Sequence, residues 1–229
     1  MNGFSVGIIP DGNRRYAKQA NIPVEAAYLK GFEKISDVAK WAADTEIASM
    51  TFWAMSLENF TKRSQTELGI VFKIMTKYLD DLITSPRLKE EDLRIKFFGN
   101  LQLLPNEIVS RIRKLEEKTA ENGRREVNFA LIYGGKDELA QTAKKIAEEY
   151  KAGKIENIDE QTFQQHLLYQ QPVDLVIRTG ATHRLSGFLP WQAAYAELYF
   201  CDKLWPAMEK ADFDQAIEFY KSTERRFGK

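Results

Sequence analysis

The sequence predicts an α/β fold in which a mainly parallel central sheet is flanked by helices. Short apolar runs of strand length alternate with longer patterns of helical period along the chain. This alternation is typical of a doubly wound parallel sheet. The length of 229 residues and the hydrophobic fraction of 44% are enough for one complete core. We therefore expect a single domain over residues 1–229, with ligands bound beyond the carboxyl ends of the strands.

Six strands and seven helices are expected. Pro105 suits the first turn of a helix, and Gly123 lies just past a helix end. The strands are predicted over residues 5–9, 48–54, 94–98, 127–133, 174–178 and 198–200. The helices are predicted over residues 14–20, 26–43, 67–83, 105–121, 136–151, 159–168 and 212–225.

The charge and cysteine content limit the class of protein. The chain has 33 Lys and Arg residues against 33 Asp and Glu residues, so its formal net charge is zero. Nucleic-acid-binding proteins usually carry a basic excess, so no nucleic-acid partner is expected. The single cysteine, Cys201, cannot form an internal disulfide, which suits a reducing compartment. The start of the chain does not resemble a signal peptide, and no apolar run approaches the ~20 residues of a membrane span. We expect a cytoplasmic protein that contacts a membrane at most transiently.

The first motif that could carry chemistry is residues 9–16, where a predicted strand ends and a helix begins. Gly12 allows a positive φ angle, and the new helix offers free N–H groups to an anion. Arg14 and Arg15 add positive charge. The carboxylate of Asp11 would repel an anion unless a cation lay between them, so the motif suggests Mg²⁺ held by Asp11 and phosphate oxygens. The alternative is an ordinary Asp-Gly turn.

The second motif, residues 56–64, follows the predicted strand that ends near Ala54. Its small polar side chains could orient a water molecule or a diphosphate oxygen, and Arg63 could bind phosphate. The alternative is a solvated loop in which Ser64 and Glu67 form a capping box at the start of the next helix. The capping interaction is expected in either case.

The third motif, residues 178–186, follows an apolar strand and contains two arginines, a histidine and three hydroxyl groups. Guanidinium groups match phosphate oxygens geometrically, so this loop is typical of an anion site. His183 lies between the arginines and could contact a diphosphate or a metal, whereas His166 is expected to be structural. Glu197 follows in an apolar and aromatic run, where a carboxylate is costly unless an arginine or a metal pairs with it.

Motifs of several common enzyme classes are missing from the sequence. No Walker loop, Gly-x-Gly-x-x-Gly fingerprint or Gly-x-Ser-x-Gly elbow occurs, and no nucleophile paired with a base is evident. What remains is a metal site, arginine-rich loops and apolar surface. This combination fits diphosphate chemistry on a lipid-like substrate.

Seven segments in a fixed order are characteristic of one enzyme family. They are DGNRRYA at 11–17, SLENFTKR at 56–63, YGG at 133–135, DLVIRTG at 174–180, RLSGFLPWQ at 184–192, YAELYF at 195–200 and ERRFG at 224–228. On these residues the chain closely resembles the cis-prenyltransferases, typified by undecaprenyl diphosphate synthase. The resemblance extends from about Val6 to Gly228, nearly the whole chain.

The resemblance implies a homodimeric enzyme with a hydrophobic tunnel between the sheet and the helices, with residues 225–228 at the dimer interface. It implies Mg²⁺-dependent condensation of isopentenyl diphosphate with an allylic prenyl diphosphate, which forms a Z double bond and releases diphosphate. The bulky Phe32 and Phe72, on helices that would flank the tunnel, favour a short to medium product. Further candidates for the tunnel lining are Phe52, Trp53, Met55 and Met75.

The resemblance also implies roles for individual residues. Asp11 would hold Mg²⁺ on the allylic diphosphate, while Asn59 and Ser56 would lie near the reacting carbons and assist proton loss. His183 and Glu197 would assist metal binding, Glu197 across the dimer interface. The remaining substrate-binding residues implied are Gly12, Asn13, Arg14, Arg15, Tyr16, Phe60 and Arg63, together with Arg178, Arg184 and Ser186 for isopentenyl diphosphate.

Several positions depart from the family's pattern, mostly around the allylic site. Where the family has an arginine and a histidine that help hold the allylic diphosphate, this chain has Val24 and Tyr28. Arg14 stands where a glycine is usual and adds a charge. The other departures are Ser5 for His, Pro10 for Met, Leu57 for Ser or Thr, Thr182 for Glu, Gly187 for Asn, and one residue inserted before Arg63.

Two alternatives to regular chain elongation follow from these departures. One is irregular, branched coupling of prenyl units, or prenyl transfer to another small acceptor, on the same fold. The other is a non-catalytic partner subunit, which the presence of Asp11 and the absence of a membrane segment disfavour.

Overall fold

Six parallel strands form one sheet in the part of the chain that the computed structural model describes, residues 3–223. The strands are β1 (Phe4–Ile9), β2 (Ile47–Trp53), β3 (Leu93–Gly99), β4 (Arg125–Leu131), β5 (Leu175–Arg178) and β6 (Glu197–Phe200). Their order across the sheet is β3-β4-β2-β1-β5-β6, and every neighbouring pair is parallel. The predicted α/β architecture is therefore confirmed.

Helices connect these strands and cover both faces of the sheet. Within the described residues they are α1 (Asn13–Gln19), α2 (Val24–Trp41), α3 (Leu57–Lys62), α4 (Gln65–Thr84), α5 (Arg87–Glu90), α6 (Asn106–Lys118), α7 (Gly135–Lys151), α8 (Glu160–His166) and α9 (Lys210–Ser222). Short 3₁₀ turns lie at Ala42–Asp44, Leu101–Leu103 and Trp205–Ala207. No helix of residues 3–223 is both long and apolar enough to cross a membrane.

Most boundaries of the observed elements shift slightly from the predicted ones, and three differences are larger in kind. β4 ends at Leu131 rather than at residue 133, because Ile132 has a positive φ angle of 48° that interrupts the extended backbone. α3 and α5 were not predicted; α3 falls inside the segment expected to be a loop. The last predicted helix is found as α9, and the rest of its predicted range, from residue 224 onward, lies outside the described residues.

Local capping explains where two of the helices begin. Ser64 Oγ accepts a hydrogen bond of 3.2 Å from the amide of Glu67 at the start of α4, as the sequence predicts. Ser56 Oγ accepts one of 3.0 Å from the amide of Asn59 and begins α3. The second motif is thus a short helix followed directly by α4.

The core lies on both sides of the sheet. The larger apolar cluster joins the sheet to α2, α4, α6 and α9, with Phe52 and Trp205 fully buried in it. A second, smaller cluster of buried apolar side chains contains Tyr133, Tyr169 and Phe188. The loop that follows β5 therefore reaches back into the core and is anchored there by Phe188.

The three polar motifs follow β1, β2 and β5, which are neighbours at the centre of the sheet. Because the strands are parallel, their carboxyl ends meet at one edge. The topology therefore brings together segments that are up to 170 residues apart in sequence.

Candidate active site

A cleft of about 710 Å³ lies at the carboxyl ends of β1, β2 and β5. Its walls come from all three motifs, from α2 and from the 3₁₀ turn at Trp205. The predicted site residues that line it are Asp11, Gly12, Asn13, Arg14, Arg15, Ser56, Asn59, Arg63, Arg178, Arg184 and Ser186. The sequence-based site is thus largely assembled in one place.

Two glycines allow the first motif to pack closely. Gly12 has a φ angle of 118°, and a Cβ atom there would come within 2.8 Å of the Leu204 side chain. A Cβ atom at Gly31 of α2 would come within 2.3 Å of Asn13 Oδ1. The Gly31 carbonyl also accepts a 2.8 Å hydrogen bond from the Trp205 indole. The start of α1 is therefore fixed against α2 and the turn at Trp205.

Asp11 is held by the loop that follows β5. The Thr179 hydroxyl accepts a 3.0 Å hydrogen bond from the Asp11 amide and lies 2.9 Å from the Asp11 carbonyl oxygen, to which it can donate. The Asp11 carboxylate lies 2.9 Å from Arg178 Nη2 and 3.2 Å from Arg15 Nη2. The first and third motifs are thus linked through both backbone and charge.

Arg178 is the most enclosed cation of the cleft, with 5% of its surface exposed. It donates to Ser186 Oγ at 2.8 Å and to the Arg184 carbonyl oxygen. Arg184 Nε donates to the same Ser186 oxygen at 3.2 Å, and the rest of its side chain is exposed. Ser186 adopts a positive φ angle of 54° in this tight loop. The loop therefore presents one fixed and one accessible guanidinium group.

On the α2–α4 side of the cleft, Arg63 contacts both Glu67 and Tyr28. Its Nε atom lies 3.2 Å from Glu67 Oε1, and its guanidinium carbon lies 5.4 Å from the centre of the Tyr28 ring. The Tyr28 hydroxyl donates a short 2.5 Å hydrogen bond to the same Glu67 oxygen. Burial and this carboxylate raise the pKa of Tyr28 to about 12.

Beyond the cleft lies a small apolar cavity of about 20 Å³, which we call the deep pocket. Phe32, Ile35 and Ala54 belong to the walls of both. The other deep-pocket residues are Met75, Tyr78, Leu79, Leu82, Phe97, Phe129 and Leu131. The described residues thus form a wide cleft that shares a wall with a nearly filled apolar pocket.

Some predicted residues lie outside the cleft lining. Tyr16 contacts Lys30, and Phe60 packs against the large core cluster. Among the candidate tunnel residues, Phe32, Trp53, Met55 and Met75 line the cleft or the deep pocket. Phe52 is fully buried and Phe72 packs on the core.

Within one copy of residues 3–223, neither of the two further predicted metal ligands forms a metal-binding cluster with Asp11, and Glu197 is expected to act from a second copy. Glu197 begins β6 and pairs with Leu175, at the end of the sheet away from Arg178. His183 is exposed, and its ring lies 5.0 Å from that of Phe200. Within residues 3–223 no group of three or more His, Cys, Asp or Glu side chains is placed to bind a metal.

Sequence reasoning missed several residues that shape the site. The sequence indicates Thr179 only as part of an anion loop and Glu67 only as part of a helix cap. Trp205 carried no signal, because its contact with Gly31 depends on the fold. Tyr28 was noted only as a departure from the family's pattern.

This fold and site define a prenyltransferase, since charged groups for diphosphates surround a cleft that leads to an apolar pocket. The chain belongs to the undecaprenyl diphosphate synthase family, whose sequence model matches residues 9–228.

Curated relatives and a solved structure support this assignment. The chain is 38% identical over 229 residues to a tritrans,polycis-undecaprenyl-diphosphate synthase (GGDP specific) from Sulfolobus acidocaldarius, covering 98% of this chain and 87% of that protein. It is 39% identical to a Thermoplasma volcanium synthase of that name, specific for geranylgeranyl diphosphate, with 98% and 88% covered. Its structure matches that of lavandulyl diphosphate synthase from Lavandula x intermedia in complex with dimethylallyl diphosphate. The TM-score is 0.91 at 31% identity, covering 100% of this chain and 99% of the other.

Proposed function

We propose that the protein condenses isopentenyl diphosphate with geranylgeranyl diphosphate, releasing diphosphate and a Z-polyprenyl diphosphate. The observation that carries the proposal is the meeting of Asp11 with two arginine-bearing loops in a cleft that leads to an apolar pocket. The choice of donor rests on the Sulfolobus and Thermoplasma relatives, whose names state that specificity.

The allylic diphosphate binds, in this proposal, against the start of α1. Gly12 and Asn13 bring the backbone close, while Arg14 and Arg15 supply positive charge along the cleft. As the allylic bond to oxygen breaks, negative charge develops on the departing diphosphate. Fixed cations around that group stabilise the charge without reorganising, because they are already oriented.

Isopentenyl diphosphate binds at the loop after β5. Ser186 Oγ and the accessible guanidinium of Arg184 are the groups that contact its phosphates, with Arg178 behind them. Arg178 is paired with Asp11. A diphosphate would compete with Asp11 for this guanidinium, which links the two substrate sites.

Asp11 fits a magnesium ion shared with the substrate. Mg²⁺ is commonly held by one or two protein carboxylates plus phosphate oxygens, so one cleft carboxylate suffices without a three-ligand cluster. When bound, the ion would neutralise charge on the allylic diphosphate as a Lewis acid. The two arginines beside Asp11 would then be free to contact phosphate oxygens.

Ser56 and Asn59 lie where α3 begins, on the wall formed by the second motif. Ser56 Oγ already accepts from the Asn59 amide, so its hydroxyl proton remains for a donor role. We propose that the Asn59 side chain and the Ser56 hydroxyl orient the departing proton of the isopentenyl unit toward a diphosphate oxygen.

A homodimer is the second part of the proposal. β6 is an edge strand of the sheet, and Tyr195 beside it is 84% exposed. An edge strand with an exposed aromatic side chain beside it favours pairing with another chain. In such a dimer, Glu197 would assist metal binding at the site of the other copy, and His183 is proposed to assist metal binding as well. We further propose a cytoplasmic location. Transient membrane contact is part of this proposal, because the prenyl chain of the product is apolar.

The test is an assay of the purified protein with Mg²⁺, radiolabelled isopentenyl diphosphate and four separate allylic donors: dimethylallyl, geranyl, farnesyl and geranylgeranyl diphosphate. We expect a ladder of products with new Z bonds, formed fastest from geranylgeranyl diphosphate. No turnover with any donor would contradict the proposal and favour a non-catalytic subunit.

A second candidate is irregular coupling of two prenyl units. It is favoured by the structural match to lavandulyl diphosphate synthase, since lavandulyl is a branched prenyl skeleton. The sequence relatives at 38% and 39% identity favour regular elongation instead. Branched products formed in a single step would support the second candidate.

A further inference from the structure

Tyr28, Glu67 and Arg63 make mutual contacts that the reaction, as proposed, does not explain. One carboxylate oxygen, Glu67 Oε1, accepts from the Tyr28 hydroxyl at 2.5 Å and lies 3.2 Å from Arg63 Nε. The Arg63 guanidinium carbon also lies 5.4 Å from the centre of the Tyr28 ring. At the wall of the cleft the guanidinium therefore has an ion pair with Glu67 and a cation–π contact with the Tyr28 ring, and its buried Nε atom has no hydrogen-bond partner among the described residues.

The three side chains are well enclosed, so these contacts are little screened by solvent. Tyr28 is 4% exposed, and the side chains of Arg63 and Glu67 are 12% and 18% exposed. A phenol with a pKa near 12 keeps its proton at neutral pH and remains a donor to Glu67.

A free arginine side chain must lose rotamer freedom when it binds an anion. An arginine already fixed in the empty protein avoids that loss, and its affinity for the anion is higher. Arg63 lines the cleft, and its outer guanidinium nitrogens have no hydrogen-bond partner among residues 3–223. These nitrogens remain available to a phosphate.

We propose that Tyr28 and Glu67 are positioning residues that hold Arg63 ready for the diphosphate of a bound substrate. The nature of that substrate rests on the proposed function, whereas the positioning itself does not. A merely structural alternative is that Tyr28 and Glu67 only tie α2 to α4. A second tie between these helices exists, however, because Tyr78 and Ser36 hydroxyls lie 3.1 Å apart with no cation involved.

The experiment measures the dissociation constant of inorganic pyrophosphate with Mg²⁺ by calorimetry, in the unaltered protein and in charge-conserving variants. Tyr28→Phe removes one hydroxyl, and Glu67→Asp keeps the charge but shortens its reach. We expect each to weaken binding by about 5- to 10-fold, the size of one charge-assisted hydrogen bond. Tyr169→Phe is the matched control, since it removes another buried hydroxyl that contacts Ser49 away from the cleft.

A double-mutant cycle separates positioning from a general effect on the fold. In an Arg63→Ala background, Tyr28→Phe is expected to weaken pyrophosphate no further. The Nε–H resonance of Arg63, identified by its loss in Arg63→Ala, is expected to exchange slowly with solvent and to exchange faster in Tyr28→Phe.

Three results would overturn the proposal: unchanged affinity in Tyr28→Phe, equal weakening in the two backgrounds, or equal weakening by Tyr169→Phe. Pyrophosphate binding requires no turnover. A protein inactive with every allylic donor would therefore contradict the proposed function while leaving this test readable.

Discussion

The cleft and the deep pocket are built in opposite ways. The cleft measures about 710 Å³, and its charged groups lie at the carboxyl ends of strands and in the segments that follow them, with Asp11 and Arg178 in contact 167 residues apart. The deep pocket measures about 20 Å³ and is formed by side chains of helices and strands packed together. The topology of the sheet therefore positions the charged side chains of the cleft, whereas the size of the packed side chains sets the volume available to an apolar chain.

This difference predicts that substitutions in the two regions change different quantities. Cleft substitutions should change substrate affinity and rate. Deep-pocket substitutions should change product length. The predictions below follow the expected size of the effect.

Asp11→Asn is expected to have the largest effect. It removes the one carboxylate that contacts both Arg15 and Arg178, together with the proposed magnesium ligand. We expect kcat/KM to fall by about 10²- to 10³-fold, the usual loss when one fixed electrostatic group is removed from an active site. Steady-state kinetics at saturating Mg²⁺ measures it. Near-normal turnover of the variant would show that the reaction does not require the Asp11 carboxylate.

Arg178→Lys keeps the charge but cannot reach Asp11, Ser186 and the Arg184 carbonyl together. The KM for isopentenyl diphosphate should rise by about 10- to 100-fold, with a smaller change for the allylic donor. Arg113→Lys is a suitable control, because Arg113 is an exposed arginine of α6. Equal changes for both substrates would argue against a separate isopentenyl site on this loop.

Phe32→Ala is expected to lengthen the product. Phe32 belongs to both walls and contacts Tyr78 edge-on at 5.5 Å, so its removal would join the cleft to the deep pocket. Removing a fully buried Phe costs about 3–5 kcal/mol of stability, and the half-buried Phe32 should cost less.

Phe72→Ala is the matched control for that substitution. Phe72 lies outside both linings and packs on the core instead. Product chromatography should show longer chains for Phe32→Ala alone. A similar shift in both variants would mean that general loosening of α2 and α4 sets the length.

The smallest effect is expected in the alkaline stability of Tyr28→Phe. The Tyr28 pKa is about 12 in the folded protein against an ordinary 10.0, with burial the largest cause and the hydrogen bond to Glu67 next. Its contribution to stability is complete below the unfolded pKa and is lost as pH rises through the folded pKa. Denaturant unfolding between about pH 10 and pH 12 should therefore show a steeper loss in the unaltered protein than in Tyr28→Phe. Identical pH profiles would mean that Tyr28 titrates normally.

The sequence predicted the strands and most of the cleft because both depend on local pattern. Strand ends with Gly, Arg and hydroxyl residues are visible as motifs, and parallel topology places them at one edge. The contacts between motifs were not predictable, since the link from Asp11 to Thr179 joins distant segments. Nor could local pattern separate Phe32 from Phe72, because both are bulky helical residues and only packing decides which one lines the cleft.

Glu197 shows another limit of reading residues in order. Its apolar surroundings in the sequence favour an arginine or a metal partner, yet the side chain has no ion pair within residues 3–223. Glu197 lies at the end of β6 that pairs with Leu175, away from Arg178. The resemblance to the family implies that Glu197 assists metal binding from a second copy of the chain, and that role stays a prediction.

The most direct test of the division between cleft and deep pocket compares Arg178→Lys and Phe32→Ala in one assay. Both the KM for isopentenyl diphosphate and the distribution of product lengths would be measured. We predict that Arg178→Lys raises the KM and keeps the product length, while Phe32→Ala lengthens the product and keeps the KM. If either variant changed both quantities together, the two regions would not act separately and the account would be wrong.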